Sequence, residues 1–469
     1  MKPTNLKYLA DACNGIIIGN NDAVVTGTKI DSREVTPGDM FVAVIGVKNN
    51  GHDYLEGAYN LGCRVFLISE KEKGLALLAK HPEVCLIVVP DTSVAFKDMA
   101  QKYVSQFNLK KVAVTGSVGK TTTRTLTGAV LSRKYNVVCA EKNLNTYLGI
   151  AMTTFFADDT TEIIVYEMGM DRRHEIETYC DWVFPDTAVI TNIGISHLEY
   201  LGTRDEIALE KLSITKHLKP DDYLVYQCDG DYLRDDAEMR RFAMGKDFKS
   251  FRAGETGRMS FSNVIDMVEK GIEFDLTCDG VTQHCKLPIA GVHNAQNAAL
   301  AAAVGILYGV SLEEASMAFS EVGAAKRRMN IKHCGGVTII DDTYNANPDS
   351  AISALGFLGK MEAKRKIAVM GIMRELGSET VNGHLKVGKF IAQCGLDLLI
   401  TIGEEGKLYI EGAKEDENLV SVSFDDPKMA EQFIFGQVKP GDAVLLKGSN
   451  ITCVADIAAH MREHYGKED

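Results

Sequence analysis

A glycine-bracketed loop followed by a lysine and three threonines is the stretch of this 469-residue sequence that points most directly to chemistry. The β-branched run at 112–115 predicts a strand that ends at Gly116-Ser-Val-Gly119, and a helix should begin at Lys120. In such a unit the glycines let backbone N–H groups surround phosphate oxygens. The lysine brings positive charge to the β- and γ-phosphates, and the next hydroxyl binds Mg²⁺. The spacing therefore predicts a bound nucleoside triphosphate, ATP by default, with Thr121 on magnesium.

The loop reads G-x-x-G-K-T, because Val114 stands where the longer phosphate-loop pattern has its first glycine. The alternative is an ordinary strand-to-helix turn, which gives no reason for a lysine and hydroxyls at this spacing. The predicted ATP-binding residues of the loop are Thr115, Gly116, Ser117, Val118, Gly119, Lys120, Thr121 and Thr122.

Two later apolar runs end in side chains that can bind metal or oxygen, namely Glu167 and Asn192. Ligands of parallel sheets gather at the carboxyl ends of the strands, so both should lie near the phosphates. Because Mg²⁺ prefers hard oxygen ligands, Thr121 and Glu167 form a sensible first metal site. The alternative for Glu167 is a simple strand-end acid. His197 follows soon after and could be a ligand or a base, although a lone loop histidine is usually neither.

The segment from Thr203 to His217 has helical spacing and carries several charged residues. On residue type alone we expect Glu210 and its acidic neighbours to be solvated and Lys211 to lie on the surface. In the last third, Asp341-Asp-Thr-Tyr-Asn-Ala-Asn-Pro348 crowds carboxylates and amides after an apolar run. This crowding suits recognition of ribose, adenine or amides. The alternative interpretation of the same residues is an Asx-turn before the proline.

The elements that position these residues belong to a chain that is long enough for two to four domains. Hydrophobic residues make up 45% of the sequence and the formal net charge is −13. This acidity argues against a nucleic-acid surface and favours small-molecule partners. No apolar run is long enough for a membrane helix, and we see no export signal, so we expect a cytoplasmic protein. The 11 scattered cysteines contain no C-x-x-C pair and should be reduced thiols.

Short apolar strands alternate with helix-length polar segments along most of the chain, which is typical of mainly parallel α/β sheets. Residues 250–290 alternate more like antiparallel strands. A serine three residues before Glu314 predicts a capped helix over 311–320. We expect three neighbouring α/β domains, residues 1–109, 110–322 and 323–469.

Taken together, the motifs resemble the Mur ligases of peptidoglycan synthesis, in order and over nearly the whole chain. The stretches that carry the likeness are Thr115-Gly-Ser-Val-Gly-Lys-Thr-Thr, Glu167-Met-Gly-Met, Thr191-Asn-Ile-Gly-Ile-Ser-His-Leu-Glu199, Glu210-Lys-Leu-Ser-Ile, Gly291-Val-His-Asn-Ala-Gln-Asn-Ala and Asp341-Asp-Thr-Tyr-Asn-Ala-Asn-Pro. The resemblance implies a uridine-nucleotide domain, a central phosphate-loop ATPase domain and a C-terminal Rossmann-like ligase domain. Within the family, Tyr344-Asn-Ala-Asn-Pro and Met373-Arg-Glu-Leu-Gly377 favour the member that adds D-alanyl-D-alanine.

The resemblance also implies roles for individual residues. Lys120, His197 and Lys211 would be catalytic, with His197 on a second magnesium and Lys211 matching a lysine that is carbamylated in several members. Adenine would meet Asn294, while Arg328 and Asp342 would reach the nucleotide from the third domain; Arg327 competes with Arg328 for that match. The residues assigned to the substrate are Ser32, Arg33, His52, Asn145, Asn345 and Asn347.

The implied reaction is an ATP-dependent ligation of D-alanyl-D-alanine to UDP-N-acetylmuramoyl-tripeptide through an acyl phosphate, by a monomeric enzyme. Another Mur-like ligase with a different amino acid or acid is the nearest alternative. A GTPase switch lacks support because no N-K-x-D motif occurs. A catalytically inactive UDP-sugar-binding regulator would not need Lys120, Thr121, Glu167 and His197 together.

Overall fold

The computed structural model describes residues 1–19, 22–141, 143–323, 327–449 and 452–466, and they form two compact units. The first unit comprises residues 1–113, 134–170 and 177–186. The second comprises residues 114–133, 171–176 and 187–469. Within the second unit we call residues 327–449 and 452–466 the C-terminal part.

The strands are β1 (Thr4–Asn5), β2 (Ile16–Ile18), β3 (Val24–Val25), β4 (Gly27–Lys29), β5 (Asp39–Val42), β6 (Val65–Ile68), β7 (Cys85–Val88), β8 (Lys110–Thr115), β9 (Val137–Cys139), β10 (Ile163–Glu167), β11 (Thr187–Ile190), β12 (Tyr223–Gln227), β13 (Lys249–Ala253), β14 (Met259–Asp266), β15 (Ile272–Cys278), β16 (Val281–Leu287), β17 (Asn330–Cys334), β18 (Val337–Asp342), β19 (Arg365–Gly371), β20 (Leu398–Ile402), β21 (Val420–Phe424) and β22 (Asp442–Lys447).

The α-helices are α1 (Leu6–Ala12), α2 (Leu55–Asn60), α3 (Lys71–Lys80), α4 (Thr92–Val104), α5 (Lys120–Leu131), α6 (Tyr147–Phe155), α7 (Glu175–Val183), α8 (Leu198–Leu201), α9 (Arg204–Leu212), α10 (Asp236–Phe242), α11 (Asn294–Leu307), α12 (Leu312–Ser320), α13 (Pro348–Lys360), α14 (Thr380–Ile391), α15 (Lys407–Ala413), α16 (Pro427–Gln437) and α17 (Val454–Tyr465).

The first unit contains a five-stranded sheet in the order β2-β7-β6-β5-β4. Its strands run parallel except β2, which pairs antiparallel with β7. Apolar side chains such as Phe41 and Phe66 bury one face of this sheet. The unit also contains the first four residues of β8, together with β10 and β9, and these three strands are neighbours in that order. The strands predicted before residue 110 therefore form the expected small α/β sheet.

The second unit carries β16-β15-β14-β13-β12-β11 in that order. The β11, β12 and β13 strands run parallel, whereas β14, β15 and β16 pair antiparallel, as the alternation at 250–290 predicts. The end of β8 lies beside β11, where Thr191 N donates to Thr115 O at 2.9 Å. The predicted capping box at the start of α12 is present, with Ser311 and Glu314 bonded to each other's backbone N–H. Sequence periodicity thus predicted both strand directions.

The C-terminal part is a six-stranded sheet in the order β17-β18-β22-β19-β20-β21. It is parallel apart from β17, an antiparallel edge strand. Buried apolar clusters lie on both faces, one under α13 and α14 and the other under α16 and α17. This is the open twisted sheet that the sequence predicts for the last third.

In the described part of the chain no cysteine forms a disulfide, and most are buried like small apolar residues. Cys139 is half-buried, and Cys453, which precedes α17, is exposed. Among the described residues, no helix combines the length and apolar composition needed to cross a bilayer.

Candidate functional site

The loop between β8 and α5 has the backbone shape that its glycines predict. Gly116 has a φ of +147° and Gly119, which caps α5, a φ of +80°. A Cβ on Gly116 would lie 1.8 Å from Thr191 Oγ1, and one on Gly119 would lie 2.5 Å from Asn297 Oδ1. Conformation and close approach therefore both require glycine at these two positions.

The carboxyl end of β11 holds this loop in place. Asn192 Oδ1 accepts hydrogen bonds from Ser117 N at 3.2 Å and Val118 N at 3.1 Å. Thr191 Oγ1 donates to Val118 O at 2.5 Å, and Gly194 N donates to Ser117 Oγ at 2.8 Å. The expectation that Asn192 lies at the phosphate loop is confirmed. Its amide is a structural partner of the loop, so two loop N–H groups face Asn192.

Lys120 folds back over the loop that precedes it. Its Nζ donates to Gly116 O at 2.7 Å and to Ser117 O at 3.3 Å. The Thr121 side chain is buried and Thr122 is half-buried in the first turn of α5. Lys120 is the first residue of α5, and the N-terminus of a helix favours bound anions.

Two asparagines at the start of α11 support the same helix end. Asn297 Oδ1 accepts from Thr123 Oγ1 at 3.1 Å, and Asn297 Nδ2 donates to Asn294 Oδ1 at 2.8 Å. Asn294 Nδ2 in turn donates to Ala290 O at 2.8 Å. Both amides are buried. Our sequence reasoning missed Asn297, although two asparagines three residues apart on one helix face were a usable signal.

Glu210 and Lys211 lie inside the protein, so the expectation from residue type that they are solvated is wrong. Glu210 Oε2 accepts from His174 N at 2.6 Å and Oε1 accepts from Ile176 N at 2.8 Å. The Lys211 side chain is fully buried, and this burial, together with the nearby Lys120 charge, lowers the pKa of its amine well below 10.5. Both effects favour the uncharged form of this amine.

His197 lies where three chain segments converge. Its Nδ1 is 2.6 Å from Glu375 Oε2 and 3.4 Å from Asp171 Oδ1. Although this nitrogen is buried, neither contact has the geometry of a hydrogen bond, and no other described residue supplies one. His197 beside Glu375 lowers the pKa of that carboxyl. Sequence reasoning gave no role to Asp171 or Glu375.

In the first unit, Glu167 ends β10 with its side chain buried. Asn145 Nδ2 donates to Glu167 Oε1 at 3.0 Å, and Asn145 O accepts from Gly169 N at 2.8 Å. The predicted metal ligand and the predicted substrate residue are therefore direct neighbours.

Three of the residues assigned to the substrate, Ser32, Arg33 and His52, lie on short 3-10 turns of the first unit. Ser32 and Arg33 belong to Ser32–Glu34, where the exposed Arg33 guanidinium pairs with Asp31. His52 is buried, and its Nε2 accepts from Ser69 N at 2.9 Å and Glu70 N at 3.1 Å. Its Nδ1 lies 2.8 Å from the side-chain Oδ1 of Asn50, so one ring nitrogen holds backbone N–H groups and the other holds a side chain.

In the C-terminal part, the Arg328 guanidinium lies over the Tyr344 ring, 4.1 Å from its centroid. Asp342 Oδ1 accepts from Met329 N at 3.1 Å, and its Oδ2 pairs with Lys447 Nζ at 2.5 Å. Lys447 is buried and also donates to Asn345 O at 3.0 Å. Sequence reasoning missed this lysine, which fixes the loop that holds Asp342.

Asn345 and Asn347, the two residues of this part that were assigned to the substrate, form local hydrogen bonds. Asn345 Oδ1 accepts from Ala346 N at 2.8 Å. Asn347 caps α13 by accepting from Ser350 N at 2.9 Å, and its Nδ2 donates to Ser196 Oγ at 2.9 Å. The Asx-type turn and the contact with the His197 loop are therefore both present.

Sequence models of three family domains match the chain. They are "Mur ligase family, catalytic domain" over residues 24–105, "Mur ligase middle domain" over 114–305 and "Mur ligase, glutamate ligase domain" over 327–450.

Individual proteins match over nearly full length. The UDP-N-acetylmuramoyl-tripeptide--D-alanyl-D-alanine ligase of Bacillus subtilis is 31% identical, with 95% of both chains covered. A crystal structure of MurF from Acinetobacter baumannii superposes with a TM-score of 0.83 at 29% identity and 99% coverage of both chains. The structure of MurF ligase from Thermotoga maritima in complex with ADP gives 0.74 at 26% identity, covering 94% of this chain and 97% of that one.

Proposed function

The chain belongs to the Mur ligase family, and from that premise we propose that it ligates D-alanyl-D-alanine to UDP-N-acetylmuramoyl-tripeptide using ATP. The observation that carries the proposal is the likeness to ligases of this name along 95% of the chain. The fold is the three-domain architecture of the family, with a central phosphate-loop domain and a C-terminal Rossmann-like domain. We propose the bounds 1–109, 110–322 and 323–469 for these domains.

ATP use follows from the family, and the loop geometry supports a seat for its phosphates on residues 115–122. The N-terminus of α5 and the Lys120 ammonium both favour negative charge there. We assign the adenine to Asn294 and the ribose and phosphates to Arg328 and Asp342. The Lys447 pair with Asp342 would hold that carboxylate in position.

For magnesium we propose Thr121 and Glu167 as ligands of one ion and His197 as a ligand of a second ion. The buried His197 nitrogen without a well-formed hydrogen bond fits this role, because a buried polar atom normally has a partner. Bound there, magnesium would supply positive charge that offsets the repulsion between phosphate oxygens and an attacking carboxylate.

The proposed chemistry has two transfers. A terminal carboxylate oxygen of the tripeptide attacks the γ-phosphorus, and the bond from this phosphorus to the β–γ bridging oxygen breaks, which releases ADP. The dipeptide amine then attacks the carbonyl carbon of the acyl phosphate; a C–N bond forms and inorganic phosphate leaves. Lys120 would stabilise the charge that develops on the transferred phosphoryl group.

We propose that Lys211 is carbamylated. Burial and the Lys120 charge lower the pKa of its amine and so favour the uncharged form, which reacts with carbon dioxide; a C–N bond forms, a proton is released, and the product is an anion whose oxygens suit magnesium. Carbon-13 NMR of protein equilibrated with labelled bicarbonate should show a carbamate resonance. That resonance should disappear in Lys211→Arg and persist in a variant of an exposed lysine, Lys407→Arg.

On the substrate side we propose Ser32 and Arg33 for the uridine diphosphate, with His52 positioning the loop around it. Asn145, Asn345 and Asn347 would contact the peptide portion or order the loops that do. The monomeric state and the cytoplasmic location stay predictions from the sequence.

The deciding experiment measures ADP release by the purified chain with ATP, Mg²⁺ and UDP-N-acetylmuramoyl-tripeptide, with and without D-alanyl-D-alanine. We expect release to depend on the dipeptide and amide product to match ADP. Dependence on another amino acid instead would favour the alternative of a different Mur-like ligase. Lys120→Met should lower turnover by about 10²-fold or more, whereas Lys407→Met should not.

A further inference from the structure

Two carboxylates join His197 at a point where separate parts of the second unit meet. One ligand atom from each of Asp171, His197 and Glu375 lies within 4.8 Å of the other two. Asp171 precedes α7, His197 precedes α8, and Glu375 follows β19 in the C-terminal part. The two carboxylates suit Mg²⁺ and Mn²⁺, and the imidazole adds a nitrogen ligand that first-row transition metals accept, so the set as a whole suits Mn²⁺.

The backbone holds two of these residues in a conformation that non-glycine residues seldom adopt. His197 has a φ of +66° and Glu375 a φ of +65°. A simple surface ion pair does not require such strain at both partners, and strain of this kind concentrates at functional sites.

Hydrogen bonds fix the Glu375 loop from several directions. Met373 N donates to His384 Nε2 at 3.0 Å and Arg374 N donates to Ser449 Oγ at 3.0 Å. Glu199 N, from the helix that His197 caps, donates to Glu375 O at 3.2 Å. The carboxylate is therefore presented to His197 by a preorganised loop.

The other two donors are also anchored. Glu175 Oε2 accepts from Asp171 N at 2.6 Å. The His197 loop is held by Arg204, whose Nε donates to Ile193 O at 3.0 Å. The charge of the Asp171 carboxylate interacts with those of Lys120 and Lys211.

We propose that Asp171, His197 and Glu375 form a divalent-metal site, with Glu375 as a ligand supplied by the C-terminal part. This inference rests on the proposed use of magnesium at His197 and adds the two carboxylates to it. A metal bound here would link the C-terminal part, through Glu375, to the loop that carries His197. It would also bind without nucleotide, because all three donors come from the chain itself.

The experiment titrates the full-length protein with Mn²⁺ alone and follows free Mn²⁺ by electron paramagnetic resonance. We expect one Mn²⁺ per chain, with affinity at least about tenfold weaker in Glu375→Gln and in Asp171→Asn. Glu379→Gln, on the same loop but outside the cluster, is the matched control and should bind like the parent protein. No binding without nucleotide, or unchanged binding in Glu375→Gln, would overturn the site.

Crystals soaked in Mn²⁺ give a second readout that needs no variant. An anomalous peak among the three side chains supports the proposal, and its absence at saturating Mn²⁺ contradicts it. Glu375→Gly separates metal loss from misfolding, because glycine suits the left-handed backbone and should not lower the melting temperature. Mn²⁺ binding with no dipeptide-dependent ADP release would refute the proposed reaction but leave the metal site standing.

Discussion

The side-chain amide of Asn347 donates a 2.9 Å hydrogen bond to the hydroxyl of Ser196, and so joins the cap of α13 to the loop that carries His197. Asn347→Ala should lose both the helix cap and this bond, at a cost of about 1–3 kcal/mol in the free energy of unfolding. Ser196→Ala keeps the cap and should cost about 0.5–1.5 kcal/mol.

Urea unfolding of the single and double variants measures the coupling between Asn347 and Ser196. Asp426→Ala is the matched control, because Asp426 caps α16 of the same part through Lys428 N. Strictly additive losses for Asn347 and Ser196 would show that the bond contributes nothing.

Asn192→Ala removes the acceptor shared by Ser117 N and Val118 N. We expect a loss of about 1–3 kcal/mol in stability and weaker ADP binding, because the loop loses its fixed shape. Asn192→Asp keeps the acceptor for the two N–H groups, but it loses the donor that Asn192 Nδ2 offers to Val118 O at 3.3 Å and adds a negative charge beside the phosphate-binding loop, so it should bind ADP poorly. Thermal melting measures the stability of the two variants, and calorimetric titration measures their ADP affinity. Parent-like ADP affinity in both variants would show that Asn192 does not hold the loop in its binding shape.

Gly116→Ala should abolish nucleotide binding. Its Cβ would overlap Thr191 Oγ1 at 1.8 Å, and alanine is strained at a φ of +147°. The expected destabilisation is about 1–3 kcal/mol. Gly436→Ala is the control: this glycine lies within α16 with nothing within 4 Å of an added Cβ, so alanine should stabilise by about 0.5–1 kcal/mol. Equal behaviour of the two alanines in melting and ADP titration would contradict the loop geometry.

His384 makes stability depend on acidity. Its Nε2 accepts from Met373 N and its Nδ1–H donates to Thr380 O at 2.6 Å, and burial lowers the pKa of the ring below 6.5. Above pH 6.5 the ring is neutral in both states and its full contribution is present. As the pH falls below that value, the unfolded chain gains a proton that the folded chain resists, and stability is lost.

The loss from His384 should approach about 1.4 kcal/mol per pH unit, until the pH reaches the folded pKa. Urea unfolding between pH 7 and 5 should therefore show a shallower decline for His384→Gln. Glu431 raises the pKa of the exposed His460, so His460→Gln should still lose stability as the pH falls from 7 to 5. Parallel pH profiles for the parent and His384→Gln would refute this role.

The sequence predicted the parts of the site that depend on neighbours along the chain. Gly116, Gly119 and Lys120 are set by one strand–loop–helix unit, and Asn192 follows from the rule that ligands gather at strand ends. These four lie where the periodicity and spacing placed them.

Residues whose role depends on distant segments were not predictable in this way. In the sequence Glu210 and Lys211 look like ordinary charged residues on a helix surface. In the structure the backbone at His174 and Ile176 covers Glu210, and the Lys211 side chain is fully buried. Glu375 Oε2 lies 2.6 Å from His197 Nδ1, although the two residues are 178 positions apart in the sequence. Local pattern carries no information on such pairs.

The exposure of Cys453 has a practical consequence. The other cysteines are at least half-buried, so a maleimide fluorophore should react selectively with this one native thiol at the start of α17. Energy transfer from that dye to a fluorescent ATP analogue would report, molecule by molecule, the distance between the start of α17 and the bound nucleotide during turnover, with no engineered labelling site.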